Sequence, residues 1–406
     1  MKILVANLGS TSFKYRLYDL EGGEHLLARG GIERIGSENA KVTIKLAKGD
    51  SETVRPVLDH GDAVQICLDQ LTDPTTGVLK DASEVSAIGF KSVHAKDISG
   101  VQLVNEVVLE AMEAFADVAP AHNPPYIKAM RMLGGRFPSI PLVASFETGF
   151  HRTIPEAGQR YAIPDEWATV HGIRRWGFHG ASHRYIAGRM AKLLGRSDLK
   201  IISCHLGGSS SLCAIRDGRS VATSMGMSPQ SGLPQNNRVG DFDVFALPAL
   251  LRSTGLNLEQ VLDTLANHSG LEGIGGSGRD LRDIEAAAMA GHEKARLALD
   301  VYIASTRHYL GAYLVELGGA DAIVFTGGIG ENSTLIREGV SRDLGWFGIE
   351  LDPAANLGGS AERVVSTPGS RVQVWTVPTN EEIVVARQAR DLLQGLAKAT
   401  TRPTGA

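Results

Sequence analysis

A unit of strand, small-residue turn and strand occurs twice in this chain, near residue 8 and near residue 208. The first copy has an apolar run at 3–6, small polar residues over 7–12, and a segment of alternating apolar and polar residues over 13–17. The second copy has the apolar segment KIISCHL, a turn over 207–211 and another apolar segment. Both copies predict β-hairpins. Rossmann and P-loop phosphate sites run from a strand directly into a helix, and neither fingerprint is present.

Helical segments alternate with short apolar strands through the rest of the chain, which predicts an α/β protein. Amphipathic helices are expected over 182–194, with Ser182 as the cap, and over 294–317. A further strand, DAIVFT, ends in the glycines of GGIG. The last helix follows PTNEE, where Thr379 and Glu382 have the spacing of a capping box.

Composition excludes several classes of function. The 406 residues are 43% hydrophobic and 21% charged, which provides material for packed cores and is unlike a disordered chain. A formal net charge of −4 favours neither a nucleic-acid-binding surface nor attraction to an anionic membrane. Three cysteines without metal-ligand spacing, no signal-peptide core and no apolar run of roughly 20 residues together predict a cytoplasmic protein.

Glycine is the residue type in excess: it makes up 47 of 406 residues, about 12%, where a typical protein has ~7%. Clusters lie at 207–208, 270–278 and 327–330. Turns of glycine and serine expose consecutive backbone N–H groups, which form a concavity for phosphate oxygens. One such turn is most often only a turn. Three such turns, at 7–12, 207–211 and 327–330, each at the end of an apolar strand, favour a nucleotide site.

Six segments, in this order and over nearly the whole chain, resemble the acetate kinase family: NLGSTSFKY, PAHNPPY, GFHGASH, HLGGSSS, FTGGIGEN and PTNEE. That family belongs to the superfamily of acetate and sugar kinases, heat-shock ATPases and actin. The resemblance implies a two-domain α/β, actin-like ATPase fold with ribonuclease H-like lobes and the nucleotide in the interdomain cleft. The expected domains are 1–150 plus 383–406, and 151–382 with the nucleotide-binding segments. No long linker is visible, so these boundaries rest on topology.

The resemblance implies a reversible phosphorylation of acetate to acetyl phosphate by direct in-line transfer from ATP, with Mg²⁺ or alternatively Mn²⁺. It places Asn7, Glu147, His179 and Arg238 in catalysis, the last two stabilising charge on the moving phosphoryl group. It places the metal at Asn7 and Glu381. A carboxylate is already nucleophilic at pH 7, so Glu147 need not act as a base.

The other implied residues bind the acid or the nucleotide. The acid-binding residues are Lys91, Val93, Ala121, Phe178 and Pro229. The nucleotide-binding residues are Ser10, Ser12, Lys14, His205, Leu206, Gly207, Gly208, Ser209, Asp280, Leu281, Arg282, Gly328, Ile329, Gly330, Glu331 and Asn332. Without the resemblance, Lys14 is typical of a solvated strand and Arg238 of a surface loop. The expected partners are a short-chain carboxylic acid, ATP or ADP and a second copy in a homodimer, with neither nucleic acid nor a membrane.

Two neighbouring pairs of residues divide by role. His179 and His183 are spaced as zinc ligands on a helix, but Gly180 lies between them and no glutamate accompanies them, so His183 is predicted to be structural. At the last helix, capping would occupy Glu382 and leave Glu381 to face the metal.

Several positions depart from the family's pattern. Lys91 and Glu147 stand in place of arginine and aspartate, and a lysine cannot clamp a carboxylate with two parallel hydrogen bonds. Gly208 replaces an asparagine, and the asparagines at 236–237 replace Gly-Thr. Ala121 replaces a leucine, and the smaller side chain leaves room for a longer acid. Propionate is therefore an alternative substrate, and a non-catalytic nucleotide sensor of the same fold is a second alternative.

Overall fold

The computed structural model of the protein describes residues 1–9, 11–46, 48–116, 118, 122–276 and 278–400. The chain divides into two compact units. The first unit is Met1–Gly149 with Asn380–Ala406, and the second unit is Phe150–Thr379. Among the described helices, none is both long and apolar enough to cross a membrane.

The strands of the described residues fall into two sheets. They are β1 Lys2–Gly9, β2 Ser12–Asp19, β3 His25–Glu33, β4 Ser37–Leu46, β5 Gly49–Val57, β6 Val85–Ser92, β7 Val101–Leu103, β8 Leu142–Phe146, β9 Lys200–Leu206, β10 Ser210–Arg216, β11 Arg219–Thr223, β12 Ala322–Thr326, β13 Arg363–Val364 and β14 Gln373–Thr376.

The described residues also form fifteen α-helices. They are α1 His60–Leu71, α2 Glu106–Glu113, α3 Asn123–Arg136, α4 Glu156–Gln159, α5 Asp165–Thr169, α6 Gly180–Leu194, α7 Leu247–Thr254, α8 Leu258–Asn267, α9 Gly270–Gly275, α10 Leu281–Met289, α11 Glu293–Leu317, α12 Gly327–Asn332, α13 Thr334–Ser341, α14 Pro353–Leu357 and α15 Glu381–Thr400.

The first unit is built on an eight-stranded sheet in the order β5-β4-β3-β2-β1-β6-β8-β7. The predicted hairpin is confirmed: β1 and β2 pair antiparallel, and β1 continues the sheet in parallel with β6. Phe13, Tyr15 and Leu17 of β2 are buried, as their alternation with polar residues predicts. They pack in one core with α1, α2 and α3, while α15 contacts β1, β6 and β8.

The second unit repeats this strand arrangement. Its sheet has the order β11-β10-β9-β12-β14-β13, with β9 antiparallel to β10 and parallel to β12. The run β11-β10-β9-β12-β14 therefore matches the run β3-β2-β1-β6-β8 in both order and direction. Two sheets with the same topology are what ribonuclease H-like lobes require, and the predicted fold class is confirmed.

The structure corrects the start of the helix at GFHGASH. α6 begins at Gly180, two residues before the predicted cap, and its N-cap residue is His179, which takes a left-handed conformation with φ of 57°. Ser182 lies inside the helix, where its hydroxyl is 2.8 Å from His205 Nδ1. The prediction that Ser182 caps this helix is wrong, because that hydroxyl is used in a tertiary contact.

The predicted capping box at the last helix is also wrong. The carboxamide of Asn380 accepts a hydrogen bond from the Ile383 N–H and caps α15 in place of Thr379. The carboxylate of Glu382 lies 3.4 Å from Arg16 on the neighbouring strand β2, so it does not fold back on the helix.

Candidate functional site

A hairpin turn and the first turn of a helix lie next to each other at one edge of the second sheet. The hairpin turn at 207–209 joins β9 to β10, and the glycines at 327–330 form the first turn of α12, directly after β12. β9 and β12 are parallel neighbours, so both turns leave the same edge. Gly327 has a φ of 78°, and a Cβ there would lie 2.7 Å from the Leu206 carbonyl oxygen, so only glycine fits. Backbone from two turns is therefore brought close together where phosphate oxygens could bind.

A cavity of about 650 Å³ lies against these turns and the start of α10. Eight of its lining residues were predicted from the sequence to bind nucleotide: Gly207, Gly208, Asp280, Leu281, Arg282, Gly328, Ile329 and Asn332. Asn236, Glu285 and Ser333 also line it and were not assigned to the nucleotide. Asp280 accepts hydrogen bonds from the guanidinium and the backbone N–H of Arg282, which lower the pKa of Asp280 to about 2. Residues from four separate places in the sequence, 207–208, 236, 280–285 and 328–333, thus share one cavity.

The buried side chain of Arg337 holds the end of α12. Its Nη1 donates to the carbonyl oxygens of Gly330 and Glu331, both at 2.9 Å, and its Nε and Nη2 donate to Asn356 at 2.7 and 2.8 Å. Burial, reinforced by Arg363, lowers the pKa of Arg337 to about 10, so the guanidinium stays charged at neutral pH. A cation suits the carbonyl end of a helix. Nothing in the sequence pattern distinguishes Arg337 from a surface arginine.

Arg337→Met should lower the free energy of unfolding by about 3 kcal/mol, because it leaves buried carbonyl oxygens without donors. Urea denaturation measures the effect. The control is Arg342→Met, since Arg342 is exposed and pairs with the adjacent Asp343 at 3.6 Å, and it should change stability by less than ~0.5 kcal/mol. Equal stability of the two variants would contradict the assigned role.

Arg238 and His179 lie beside the turn at 207–209. Arg238 Nη1 donates to Ser209 Oγ at 3.4 Å and to Gln235 Oε1 at 3.2 Å. Burial lowers the pKa of Arg238, but an arginine starts so far above neutrality that it stays cationic. His179 Nδ1 lies 2.8 Å from Ser211 Oγ, and its ring centroid lies 4.3 Å from that of His205, with the ring planes tilted by 34°. The loop arginine and the loop histidine are thus both held next to the predicted phosphate turn.

Lys91 and Glu381 form an ion pair in the first unit. Lys91 Nζ lies 2.6 Å from Glu381 Oε2, and the two side chains are 26% and 17% exposed. Burial by itself would lower the pKa of Lys91, but the charges of Glu381 and Glu147 outweigh it and the net pKa is raised. Lys91 is a partner of Glu381 that was not predicted, and Glu382, which was expected to cap α15, lies beside Arg16 instead. The metal role of Glu381 stays a prediction. Glu147 is buried in the 3₁₀ segment Glu147–Thr153.

Asn7 is held at the end of β1 by Tyr126, which the sequence analysis did not assign to the site. The Tyr126 hydroxyl lies 3.2 Å from Asn7 Oδ1 and accepts a hydrogen bond from the Leu8 N–H. The signal that could have identified Tyr126 is its place at the end of PAHNPPY. Lys14 is directly opposite Asn7 on β2 and is exposed.

The other predicted site residues are placed as follows. Val93 is buried in the first unit, and Phe178 and Pro229 are buried in the second. Ser12 begins β2. Glu331 accepts a hydrogen bond from the Gly327 N–H at 3.0 Å. Ser10 and Ala121 lie outside the described residues.

Two ribonuclease H-like sheets in one chain, with glycine turns at the strand ends, define a protein of the actin-like ATPase fold. A sequence model of the Acetokinase family matches residues 2–387, and the chain belongs to this family. It is 41% identical to the acetate kinase of Pseudothermotoga lettingae over 397 residues, which cover 97% of this chain and 98% of that one. It is 42% identical to the acetate kinase of Natranaerobius thermophilus over 397 residues, covering 97% and 100%.

Solved structures give the same result. The structure superposes on Porphyromonas gingivalis acetate kinase with a TM-score of 0.87 and 36% identity, covering 97% of this chain and 99% of that one. It superposes on a propionate kinase from Francisella tularensis with a TM-score of 0.87 and 32% identity, covering 95% and 98%.

Proposed function

We propose that this protein is an acetate kinase that transfers the γ-phosphoryl group of ATP to acetate, reversibly and in a single in-line step. The bond from the γ-phosphorus to its bridging oxygen breaks, a bond to an acetate oxygen forms, and ADP and acetyl phosphate are the products. Full-length similarity to acetate kinases at 41–42% identity carries this conclusion. We also propose that the two compact units are the two lobes expected from the sequence.

We propose that the nucleotide binds in the cavity of the second unit. Backbone N–H groups of the turns at 207–209 and 327–330 are suited to the phosphates, and the α10 N-terminus adds a positive dipole end. The side chains of His205, Asp280 and Arg282 and the neighbouring residues 328–332 complete the nucleotide contacts. The gathering of these segments around one cavity supports the assignment.

Asn236 is a further nucleotide contact in this proposal. Asn236 Nδ2 lies 3.4 Å from the position that a Cβ on Gly208 would take. The carboxamide of Asn236 therefore lies beside Gly208, the position where the family usually has the carboxamide of an asparagine. Asn236 Oδ1 is buried and has no hydrogen-bond partner among the described residues. A buried acceptor without a donor is costly, and a ligand N–H or O–H would satisfy it.

Asn236→Ala should therefore raise the KM for ATP about 10-fold and leave the KM for acetate unchanged. The control is Asn237→Ala, since Asn237 bonds the Asn267 carbonyl at 3.3 Å and does not line the cavity. The double variant Gly208→Asn/Asn236→Gly moves the carboxamide across the turn and should recover most of the affinity. An unchanged KM for ATP in Asn236→Ala would contradict the assignment.

We propose that His179 and Arg238 stabilise the charge on the transferring phosphoryl group. Phosphoryl transfer needs positioned positive charge around the equatorial oxygens more than covalent help. A guanidinium provides several donors in a fixed plane, and the imidazole provides one N–H. The position of both side chains beside the turn at 207–209 supports these roles.

We propose that Lys91 binds the carboxylate of the acid, and that Val93, Ala121, Phe178 and Pro229 are the other acid-binding residues, as the resemblance implies. Lys91 is held in one orientation by Glu381 and keeps further N–H donors for a substrate oxygen. The acid oxygen is ionised at neutral pH and attacks without a general base, and Glu147 organises the surroundings of this nucleophile.

Asn7 and Glu381 fit Mg²⁺, and Mn²⁺ as well. Both present oxygen atoms, the ligands that Mg²⁺ prefers, and Lys14 and Ser12 lie near Asn7 on the paired strand. Among the described residues, no three His, Cys, Asp or Glu side chains are grouped to hold a metal. The usual Mg²⁺ site of a kinase has one or two carboxylates and completes its shell with water and phosphate. When bound, Mg²⁺ neutralises phosphate charge and orients the phosphate chain.

We further propose a cytoplasmic homodimer. The three cysteines are free and buried, as suits a reducing compartment. The second unit exposes large apolar side chains, including Phe245 and Trp346 at 84% and 91%, that a second copy could cover. Sedimentation equilibrium of the purified protein measures the assembly, and a monomer at micromolar concentration would contradict it.

The activity is tested by trapping acyl phosphate as a hydroxamate after incubation with ATP, Mg²⁺ and acids of two to four carbons. Acetate is expected to have the highest kcat/KM. A kcat/KM for propionate well above that for acetate would make propionate the substrate, as in the Francisella tularensis relative. No acyl phosphate from any acid would overturn the kinase assignment and leave a nucleotide-binding sensor.

A further inference from the structure

A buried chain of alternating serine and histidine side chains leads to His179 in the second unit. Ser203 Oγ lies 2.9 Å from His183 Nδ1, and His183 Nε2 lies 2.9 Å from Ser211 Oγ. Ser211 Oγ in turn lies 2.8 Å from His179 Nδ1. Ser203, His183 and Ser211 are each fully buried. We call these four residues the Ser–His chain.

The proton count restricts how the Ser–His chain can be bonded. Burial lowers the pKa of His183 well below its ordinary value, and the nearby His151 and His205 lower it further. His183 is therefore neutral and has one N–H. The Ser211 hydroxyl has one proton and touches two ring nitrogens. If it donates to one of them, the other must donate to it. All the hydrogen bonds therefore point either towards His179 or away from it.

The two directions give His179 different tautomers. When the bonds point towards His179, Ser203 donates to His183 Nδ1, His183 Nε2–H donates to Ser211, and Ser211 donates to His179 Nδ1. A neutral His179 then has its proton on Nε2. When the bonds point away, a neutral His179 has its proton on Nδ1, and the lone pair of Nε2 would repel a phosphoryl oxygen.

We propose that Ser211, His183 and Ser203 are positioning residues that hold neutral His179 as the Nε2–H tautomer, ready to donate to the transferring phosphoryl group. The direction of the chain rests on the proposed function, because that function requires a donor at Nε2, and a neutral His179 has one there only when the bonds point towards it. The left-handed backbone of His179, unfavourable for a residue with a Cβ, is consistent with a side chain held in place by its contacts.

A second serine–histidine pair nearby provides a matched control. His151 Nε2 lies 2.8 Å from the Phe178 carbonyl oxygen, which can only accept, so Nε2 carries the proton. Its Nδ1 accepts from Ser220 Oγ at 2.9 Å. Burial lowers the pKa of His151 to about 4, so it is neutral too. Ser220 is as buried as Ser211. Within the described part of the chain, its hydroxyl contacts His151 and Cys213 and no member of the Ser–His chain.

The test is long-range ¹H–¹⁵N correlation NMR of the full-length protein labelled with ¹⁵N-histidine, at neutral pH. His179 is expected to be protonated on Nε2 and not on Nδ1. Its signals are assigned by their loss in His179→Gln. A His179 protonated on Nδ1, or on both nitrogens, would overturn the proposal.

Variants separate positioning from structure. Ser211→Ala should shift the His179 signals towards a mixture of tautomers and lower kcat about 10-fold with little change in the KM for ATP. His183→Gln, whose amide N–H can replace Nε2–H, should keep more activity than His183→Phe. Ser220→Ala should lower thermal stability as Ser211→Ala does, but leave the His179 signals and kcat unchanged.

The two proposals fail differently. Unchanged His179 signals in Ser211→Ala would overturn the Ser–His chain while the kinase assignment stands. If the wild-type protein forms no acyl phosphate but His179 is the Nε2–H tautomer and responds to Ser211→Ala, the Ser–His chain stands and the proposed function is wrong.

Discussion

Arg238→Ala is expected to lower kcat for acetyl phosphate formation by about 10³-fold while the KM for ATP changes only a few-fold. The reason is that the guanidinium would act on charge that develops during transfer, and an interaction made only in the transition state appears in kcat. Steady-state kinetics with ATP and acetate varied in turn separates the two constants. Arg238→Lys should restore little, because an ammonium lacks the planar set of donors.

Arg282→Ala is the matched comparison for Arg238→Ala. Arg282 lines the same cavity as the phosphate turns but is 87% exposed and pairs with Asp280. Its loss should raise the KM for ATP and leave kcat nearly unchanged. If Arg238→Ala instead shows a loss confined to ATP affinity, its role at the moving phosphoryl group is wrong. Circular dichroism and the urea midpoint of each variant exclude a loss of fold.

Glu381→Gln is expected to lower kcat/KM by at least ~10²-fold and the free energy of unfolding by about 2 kcal/mol. The activity falls because a proposed metal ligand loses its charge. The stability falls because the mostly buried ammonium of Lys91 loses its partner at 2.6 Å.

Lys91→Ala should raise the KM for acetate about 10- to 100-fold, which corresponds to the loss of one hydrogen bond to a charged group.

The double variant Lys91→Met/Glu381→Gln should recover much of the stability and none of the activity, since it removes both charges together. Lys41→Ala is the control, because Lys41 and Glu52 form an exposed ion pair at 2.9 Å on the same sheet, worth at most ~1 kcal/mol. Additive effects of Lys91→Met and Glu381→Gln on stability would contradict the pairing.

The pH dependence of this ion pair has a defined sign. The charges of Glu381 and Glu147 raise the pKa of Lys91. The stabilisation that comes from this raised pKa is therefore complete below the ordinary lysine pKa of about 10.4. It is lost only as the pH rises further, towards the raised pKa of Lys91. Stability of the wild-type protein relative to Lys91→Met/Glu381→Gln should therefore be constant across neutral pH on this account.

Local patterns were enough to predict the framework of the fold. The alternation at Phe13, Tyr15 and Leu17 predicts a strand with one buried face, and the structure has it in β2. The helix predicted over 294–317 is α11, which begins one residue earlier. Short-range signals failed where a tertiary contact competed for the same group, as Arg16 does for Glu382 and His205 for Ser182.

The candidate site was predicted in part. The residues predicted to bind the nucleotide around the two glycine segments share a cavity, because these segments follow parallel neighbouring strands. Asn236, Tyr126 and Arg337 were missed, since each acts through a contact with a residue distant in sequence. The roles of the catalytic and metal-binding residues stay predictions until the kinetics are measured.

The sequence by itself determined the two hairpins, the glycine segments at strand ends and membership of a kinase family. Strand periodicity, turn residues and the spacing within each motif can all be read from residues close together in the chain. Only the tertiary structure decided which charges and hydrogen bonds are paired. Lys91 meets Glu381 across 290 residues, and His179 meets Ser211 across 32. Such pairs depend on sheet register and helix packing, which fix where side chains meet but leave no repeating pattern in the chain.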